Sequence, residues 1–207
     1  LTAVLGPEPV VGGLCKIACE GVAPGHLRHF GAQPGIDFGP LPAASNEPAG
    51  AARAERQRVR CERVAAALER AGVSARVRDD IAVGLWEKFL FIASVSGVGA
   101  FLRAPFGVVR SEPETRELLR QAMAEVEAVA RARGVDLSAD VVERSLAFVD
   151  RMPAETTTSM QRDLQAGRPS ELEAQNGAVV RLGRASGVAT PVHDRLYATL
   201  KAGNAGS

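Results

Sequence analysis

Residues 84–93 read GLWEKFLFIA, an apolar run that is broken only by Glu87 and Lys88. A helix that is hydrophobic on every side is normally buried. Burial removes the hydration of an ammonium group and makes it a better proton donor near neutral pH. The run therefore predicts a core helix with Lys88 as a buried proton donor. The alternative is a lysine whose aliphatic stem crosses the apolar surface and whose charge reaches water.

The composition excludes several classes of partner. The chain has 207 residues, of which 46% are hydrophobic, enough for one large core or two small ones. Its 25 Lys+Arg and 24 Asp+Glu are interspersed, without a basic stripe for nucleic acid or an anionic membrane. No apolar run reaches the length of a membrane span, and residues 1–6 do not resemble a signal peptide. We expect a soluble, cytoplasmic protein with neither nucleic acid nor membrane as partner.

The cysteines and histidines do not predict a metal site. Cys15, Cys19 and Cys61 are an odd set without a histidine at ligand spacing, so we expect buried free thiols in a reducing cytosol. His26 and His29 fall on a predicted strand at odd spacing, which places them on opposite faces.

The first part of the chain reads as a small α/β unit. Strands are predicted over residues 10–19, 26–30 and 36–39, separated by Gly-Pro turns at 23–25 and 33–35. A loop over residues 41–52 precedes a helix over 54–70, which stops at Gly72 and is followed by a short strand over 73–77.

Everything after Asp79 is predicted to be helical. Asp79 or Asp80 can cap the lysine helix. The later helices are predicted from a capping box at Ser111 and Glu114 to Gly134, from Ser138 to the residue before Pro153, from Ser159 to about Gly167, from Pro169 to Gly187, and from Thr190–Pro191 onward. The expected organisation is an α/β unit over 1–79, a helical domain over 80–202 and a tail over 203–207.

Four segments, taken in their order and spacing, resemble the ketopantoate reductase (2-dehydropantoate 2-reductase) family. They are 10–14 (VVGGL), 35–39 (GIDFG), 158–177 (TSMQRDLQAGRPSELEAQNG), which follows the Trp-Glu-Lys helix, and 187–193 (GVATPVH). The resemblance covers nearly the whole chain. It implies an α/β remnant of a Rossmann-like nucleotide-binding domain, followed by an all-α, 6-phosphogluconate-dehydrogenase-like domain for substrate binding and dimerisation.

The glycine fingerprint of a complete nucleotide-binding half is not found in this sequence. That fingerprint lies in the first strand-to-helix turn. The nearest match, residues 97–102 (GVGAFL), has Leu102 in place of the third glycine and follows a helix. Members of the resembled family begin with the fingerprint, so we expect this chain to start inside their N-terminal domain. We also expect that this form alone does not bind NADPH tightly.

The resemblance implies the NADPH-dependent reduction of a branched 2-oxo acid, 2-dehydropantoate to pantoate in pantothenate and coenzyme A biosynthesis. Lys88 matches the lysine that protonates the 2-oxo oxygen, and Glu171 the glutamate that contacts this lysine and the substrate. Ser159 matches the serine that binds the substrate carboxylate. Glu171 is also explained as an ordinary first-turn carboxylate, and Ser159 as a helix N-cap.

Two positions depart from the family pattern. Its asparagines four and eight residues after the lysine are Ile92 and Ser96 here. Ser96 keeps a hydroxyl for substrate binding, whereas Ile92 has no hydrogen-bonding group. The alternative that the protein is a paralogue acting on a related branched 2-oxo acid therefore stays open. Asn176-Gly177 is predicted to lie inside a helix and to serve close helix packing rather than ligand contact.

The remaining expectations concern assembly and surface groups. His193 is expected to be a neutral surface group, and Arg103 and Arg162 are expected to be solvated, although both could face an anionic ligand. An unpaired sheet edge and apolar surfaces favour a homodimer or larger assembly. The alternative function is a non-catalytic helical module that dimerises or binds a small acid. The absent fingerprint favours that module, whereas the retention of Lys88, Ser159 and Glu171 together favours the reductase.

Overall fold

The computed structural model describes residues 1–42 and 48–204. The chain divides into two compact units, Leu1–Leu85 and Trp86–Ser207, and the border falls inside one helix. The sequence predicted this border after Asp79.

The first unit contains a three-stranded sheet and a long helix. Its elements are α1 (Thr2–Leu5), β1 (Gly12–Ala23), β2 (His26–Gly39), α2 (Pro48–Arg70), β3 (Ser74–Val77) and the first turn of α3 (Ile81–Leu102). The strand order is β1-β2-β3, with β1 antiparallel and β3 parallel to β2.

The β1–β2 hairpin corrects one predicted turn. The turn at 23–25 is confirmed, with Gly25 at φ +73° and Ala23 paired with His26. The predicted turn at 33–35 is wrong, because these residues lie within β2. The pairing jumps from Lys16–Gly35 to Ala18–Phe30, so the extra residues of β2 form an irregularity opposite Ile17. A proline, which lacks an N–H, is tolerated at such a position.

Helix α2 starts at Pro48 rather than near residue 54, and residues 43–47 of the predicted loop lie outside the described ranges. Proline suits the first turn of a helix because its missing N–H would have no partner there. The inner face of α2 buries Gln57, which is 1% exposed. Gln57 Nε2 donates to the carbonyl oxygens of Pro7 (2.8 Å), Glu8 (3.1 Å) and Val10 (2.9 Å), and so ties the chain before β1 to this helix.

A buried carboxylate, Asp37, lies where the parallel strands β2 and β3 end. Asp37 accepts a hydrogen bond from Lys16 Nζ at 2.6 Å, and Arg78 Nη1 lies 3.5 Å from the same oxygen. Arg78 also donates to Asp80 at 2.6 and 2.7 Å, so Asp80 binds this arginine. Burial alone would raise the pKa of Asp37, but Lys16 and Arg78 outweigh it and hold that pKa below its usual range.

Because the pKa of Asp37 is lower in the folded protein than in the unfolded chain, the stability of the first unit should depend on pH. The contribution of Asp37 is present above about pH 4, its unfolded pKa, and is lost as the pH falls through the lower folded pKa. Asp37→Asn should lower the free energy of unfolding by about 1–3 kcal/mol at neutral pH, because Lys16 and Arg78 lose their charged partner. Urea unfolding at a series of pH values measures this difference, which should shrink in acid. Asp79→Asn, at an exposed carboxylate, is the control. An equal loss for both variants would contradict the proposed pairing.

The second unit consists of helices joined by turns and irregular segments, and its described residues contain no strand. Besides the larger part of α3, it contains α4 (Phe106–Ser111), α5 (Pro113–Ala132), α6 (Val141–Arg151), α7 (Ser159–Gln165), α8 (Asn176–Ser186) and α9 (Pro191–Asn204). The predicted absence of strands after Asp79 is therefore confirmed for the part of the chain that the structure covers. Helix α9 continues past the start of the predicted tail at 203.

Helix α3 is the central helix of the second unit. Residues 93–100 are all buried. Within residues 1–42 and 48–204, α3 is the one helix whose length and composition would suffice to cross a membrane. This differs from the expectation that no apolar run is that long. Side chains from α7 and α8 pack directly against its second half, which is the environment of a core helix.

Two predicted helix caps are wrong because proline and aspartate occupy the starts instead. Helix α5 begins at Pro113, and Ser111 ends the preceding helix α4, where its hydroxyl donates to the Val108 carbonyl. The N-cap position of α6 is Asp140, and Ser138 donates to the Asp140 carboxylate at 2.7 Å.

The predicted helix from Pro169 to Gly187 is also corrected, since α8 begins only at Asn176. Residues 168–175 are not helical, and the turn over 172–175 is closed by the Gln175 N–H, which donates to the Glu171 carbonyl at 2.8 Å. Gln175 has φ −99° and ψ −90°, which is not helical. The side chain of Asn176 reaches α3, and this tertiary contact sets the start of α8 in place of local propensity.

His193 is buried rather than exposed at the surface. It is 0% exposed, and its Nδ1 lies 2.8 Å from Glu125 Oε2 on α5. Glu125 also accepts hydrogen bonds from the N–H groups of Val192 (2.7 Å) and His193 (2.9 Å). A carboxylate thus satisfies the first turn of α9 from another helix and draws His193 inward. Sequence reasoning missed it because the two residues are 68 positions apart.

Removal of this carboxylate should destabilise the second unit. Glu125→Ala deprives two backbone N–H groups and His193 of their acceptor, so we expect the free energy of unfolding to fall by about 1–3 kcal/mol. Glu117→Ala, on an exposed position of the same helix, is the matched control. Chemical denaturation followed by circular dichroism gives both values. Equal stabilities for the two variants would show that Glu125 does not hold α9.

Candidate active site

The four residues predicted for the site differ in exposure. Lys88 on α3, Ser159 at the start of α7 and Glu171 in the turns before α8 are exposed. Ser96 is 0% exposed, and its hydroxyl has no hydrogen-bond partner among the described residues. Direct contact between Ser96 and a substrate, as predicted, is inconsistent with this burial.

The predicted burial of Lys88 is wrong for this structure. The enclosed half of α3 begins at Ala93, whereas residues 85–89 and 91–92 are at most partly buried. The apolar neighbours of Lys88 therefore do not enclose its ammonium group. Lys88 follows the alternative interpretation, a long side chain that leaves a largely apolar helix for the surface.

An apolar cluster lies beside three of the four residues. We name it the Ala100 cluster; it consists of buried Ala100, Met160 and Leu172, with Leu164, Tyr197 and Leu200 packed against it. Ser159 directly precedes Met160, Glu171 directly precedes Leu172, and Ser96 lies one helical turn before Ala100. The cluster thereby fixes the backbone next to each of them.

Lys88 is not part of this grouping. It lies twelve residues before Ala100 on α3, about 18 Å along the axis at the α-helical rise of about 1.5 Å per residue. The structure therefore places Ser96, Ser159 and Glu171 around the Ala100 cluster. Lys88 lies nearer the other end of α3.

Glu171 is oriented by an amide rather than by a helix terminus. Its Oε2 accepts a hydrogen bond from Gln175 Nε2 at 3.0 Å, and Gln175 is 8% exposed. The predicted first-turn position of Glu171 is wrong, because no helix begins there. Sequence reasoning missed Gln175, although its spacing of four residues from Glu171 was a usable signal.

Asn176 packs against the middle of α3. It is 0% exposed, and its Nδ2 donates to the Ala93 carbonyl at 3.1 Å. A Cβ on Gly97 would lie 2.3 Å from the same nitrogen, so an alanine there would displace the Asn176 amide from its present position. The predicted role of Asn176-Gly177 in close packing is confirmed, although the pair lies at the start of α8.

A second buried amide contacts α3 from helix α7. Gln161 is 1% exposed, and its Nε2 donates to the Ala104 carbonyl at 3.1 Å. A Cβ on Gly99 would lie 3.0 Å from Gln161 Oε1. The N-cap of α7 is Thr158, whose hydroxyl accepts from the Gln161 N–H at 3.2 Å, so the alternative that made Ser159 the cap is wrong.

The other singled-out residues do not join this site. Arg162 is exposed and donates to the carbonyl and hydroxyl of Thr157. Cys61 is buried as predicted, whereas Cys15 and Cys19 are exposed. Residues 1–42 and 48–204 contain no group of three or more His, Cys, Asp or Glu side chains that could hold a metal ion.

The strand-to-helix connection between β3 and α3 does not fit a dinucleotide. Such turns need glycines that allow the pyrophosphate to approach backbone N–H groups. Here the connection is Arg78-Asp79-Asp80, which contains no glycine. We therefore assign no residue of this chain to a nicotinamide cofactor.

Comparison with known proteins identifies the family. Residues 80–204 match the family model described as ketopantoate reductase PanE/ApbA C terminal. The 2-dehydropantoate 2-reductase of Mesorhizobium japonicum is 32% identical over 197 residues, which are 95% of this chain and 56% of that protein. The crystal structure of 2-dehydropantoate 2-reductase from Geobacter metallireducens gives a TM-score of 0.80 at 30% identity, over 97% of this chain and 62% of that one.

Two more distant structures share the fold. D-mandelate dehydrogenase in complex with NADH has a TM-score of 0.79 at 21% identity, over 97% of this chain and 64% of that chain. A dimeric ketopantoate reductase from Staphylococcus aureus has a TM-score of 0.72 at 21% identity, over 95% and 62%. The chain spans about half the length of the curated relatives it matches. It belongs to the ketopantoate reductase family, with part of a Rossmann-like domain followed by the family's helical C-terminal domain.

Proposed function

We propose that this chain is the substrate-binding part of an oxidoreductase that reduces a branched 2-oxo acid, with 2-dehydropantoate or a related acid as substrate. Family membership supports the class of reaction, since the matched residues 80–204 include all four predicted site residues. The observation that carries the assignment is the exposure of Lys88, because a proton donor must be reachable by its substrate.

Lys88 would act on the oxygen of the 2-oxo group. Reduction of that carbonyl produces an alkoxide, and an adjacent ammonium both stabilises the developing charge and supplies the proton. Glu171, oriented by Gln175, would contact the substrate, and Ser159 would donate its hydroxyl to the substrate carboxylate. We assign Ser96 no contact with the substrate, since its burial closes it to solvent.

We base our proposals for the cofactor and the oligomeric state on related proteins. We propose that the reductant is a nicotinamide cofactor, since the related D-mandelate dehydrogenase binds NADH. The family resemblance favours NADPH as the form of this cofactor. We propose a homodimer, since a related ketopantoate reductase is dimeric, and a cytoplasmic location.

The proton-donor role predicts an order of effects on catalysis. In a protein where a nucleotide-binding half precedes this chain, Lys88→Ala should lower kcat for 2-dehydropantoate reduction by about 10²–10⁴, the usual span for a positioned acid. Glu171→Ala should raise KM and lower kcat, and Ser159→Ala should have the mildest effect. Lys201→Ala, which removes an exposed ammonium from α9, is the control. A Lys88→Ala enzyme with near wild-type kcat would return Lys88 to a surface role.

Substrate binding can be measured on the 207-residue chain itself. Calorimetric titration with pantoate, the reduced acid, should give an affinity that Ser159→Ala weakens by about tenfold, the loss of one hydrogen bond to a charged group. Ser170→Ala, in the nearby turns, is the matched control. Binding without turnover in the longer protein would favour the alternative of a non-catalytic acid-binding module, and unchanged affinity in Ser159→Ala would remove Ser159 from the site.

A further inference from the structure

Helix α2 carries a seven-residue repeat on its exposed face. A Glu-Arg pair recurs at 55–56, 62–63 and 69–70, and a small apolar residue stands three positions before each pair. The small residues are Ala52, Val59 and Ala66, and all nine positions of the repeat are exposed. Because seven residues are close to two turns of an α-helix, each kind of residue forms a column along the helix.

The three columns divide the outer face of α2. Ala52, Val59 and Ala66 form a central ridge, which points away from the buried side chains of Gln57 and Cys61. At about 100° per residue, the glutamate column lies about 60° to one side of this ridge and the arginine column about 40° to the other. The exposed face is therefore apolar in the middle, acidic on one flank and basic on the other.

Contacts within the helix do not explain the arginine column. Adjacent residues on a helix do not face each other, so the glutamate and the arginine of each pair are poorly placed to bind one another. No acidic residue lies one turn before or after Arg63 or Arg70, and neither makes an ion pair with a side chain that the structure describes. Arg60 lies one turn before Arg63, and like charges at this spacing destabilise a helix. Carboxylates from another molecule would relieve this repulsion.

A groove of about 650 Å³ runs along the arginine flank. Its lining consists of α2 residues alone, namely Arg60, Arg63, Val64, Ala66, Ala67 and Arg70. The two alanines are short, so they leave space between the guanidinium groups. Guanidinium groups bind carboxylates through charge-assisted hydrogen bonds, and this space admits such carboxylates.

The columns of α2 are complementary to those of a second copy in one orientation. When two such ridges face each other around a two-fold axis parallel to the helices, the glutamates of each helix face the arginines of the other. A two-fold axis perpendicular to the helices makes them antiparallel and places glutamates opposite glutamates. Charged residues on the flanks of paired helices set their orientation and their choice of partner. The repeat therefore favours a parallel pair of identical helices.

We propose that α2 is the interaction surface for a second copy of this chain, with the two helices parallel and in register. The ridges pack against each other, and their small side chains allow an interaxial distance of about 8–10 Å. Glu62 of each copy lies beside Arg63 of the other, and Glu69 beside Arg70. Two paired helices bury a small area, so we expect a weak dimer.

This interface is distinct from the proposed reductase site. Lys88, Ser159 and Glu171 lie outside α2. The homodimer proposed above from a relative specifies no surface and can form without this helix. A dimer that uses the second unit would therefore be a different contact, and the variants below distinguish the two.

Charge exchange tests the pairing. Sedimentation velocity of the 207-residue chain over a series of concentrations should show a monomer–dimer equilibrium. Arg63→Glu places two glutamates opposite each other on both sides of the pair, so the dimer should weaken by about tenfold. The double variant Glu62→Arg/Arg63→Glu exchanges the columns at this level and should recover the affinity, which a folding defect would not. Arg133→Glu, the same charge change at an exposed residue outside α2, is the control.

Cysteine cross-linking measures the orientation. The chain for this experiment carries serine at the exposed Cys15 and Cys19, whereas Cys61 is buried and is retained. Ala66→Cys should form a disulfide-linked dimer under mild oxidation, because each position 66 faces its counterpart. In an antiparallel pair centred on Val59, position 66 would instead face position 52, about 21 Å along the helix. Ala124→Cys, at an exposed position of α5, is the control and should stay monomeric on a denaturing gel.

Four results would overturn the proposal. A monomer at every concentration would leave this face to a partner other than a second copy. A dimer that keeps its affinity in Arg63→Glu would place the association on another surface. A double variant as weak as Arg63→Glu would contradict the pairing of the two columns. Cross-links that form only between Ala52→Cys and Ala66→Cys chains would show an antiparallel pair.

Discussion

Two buried amides, Asn176 and Gln161, bind the backbone of α3, and the arrangement of the second unit depends on them. Each donates a hydrogen bond to a carbonyl at or just beyond this helix, at Ala93 and Ala104. Each also lies against a glycine of α3, Gly97 or Gly99. Glycine inside a helix costs about 1 kcal/mol relative to alanine. Here that cost is offset by a close approach of the two amides that a methyl group would crowd, and this approach fixes where α7 and α8 start relative to the central helix.

The segment from Thr158 to Gly177 owes its shape to these contacts more than to local propensity. It contains the short helix α7, a non-helical connection and the first two residues of α8, so isolated helix formation would contribute little. Met160 and Leu172 anchor it to Ala100 on α3. The polar residues next to these anchors, Ser159 and Glu171, are thereby held at the surface on a fixed backbone. This arrangement positions functional side chains without burying them.

Sequence alone could predict what proline, glycine and hydrophobic periodicity control. The turn at Gly25, the short strand β3, the start of α7 and the start of α9 all follow from such local signals. It could not predict features that depend on a distant partner. The exposure of Lys88 depends on where the enclosure of α3 begins, the burial of His193 depends on Glu125, and the turns around Glu171 depend on Asn176. In each case the local sequence pattern is present, but a tertiary contact decides the structure instead.

The link between Glu125 and α9 also bears on the order in which the helical unit forms. The first turn of α9 receives its acceptor from a residue that precedes it by 67 positions, so the turn gains this stabilisation only after α5 has folded and approached. Closing a loop of that length has an entropic cost that must be met before the contact forms. We expect α9 to dock late. During synthesis, the contacts of Glu125 and the core around it can therefore form only after α9 has been made.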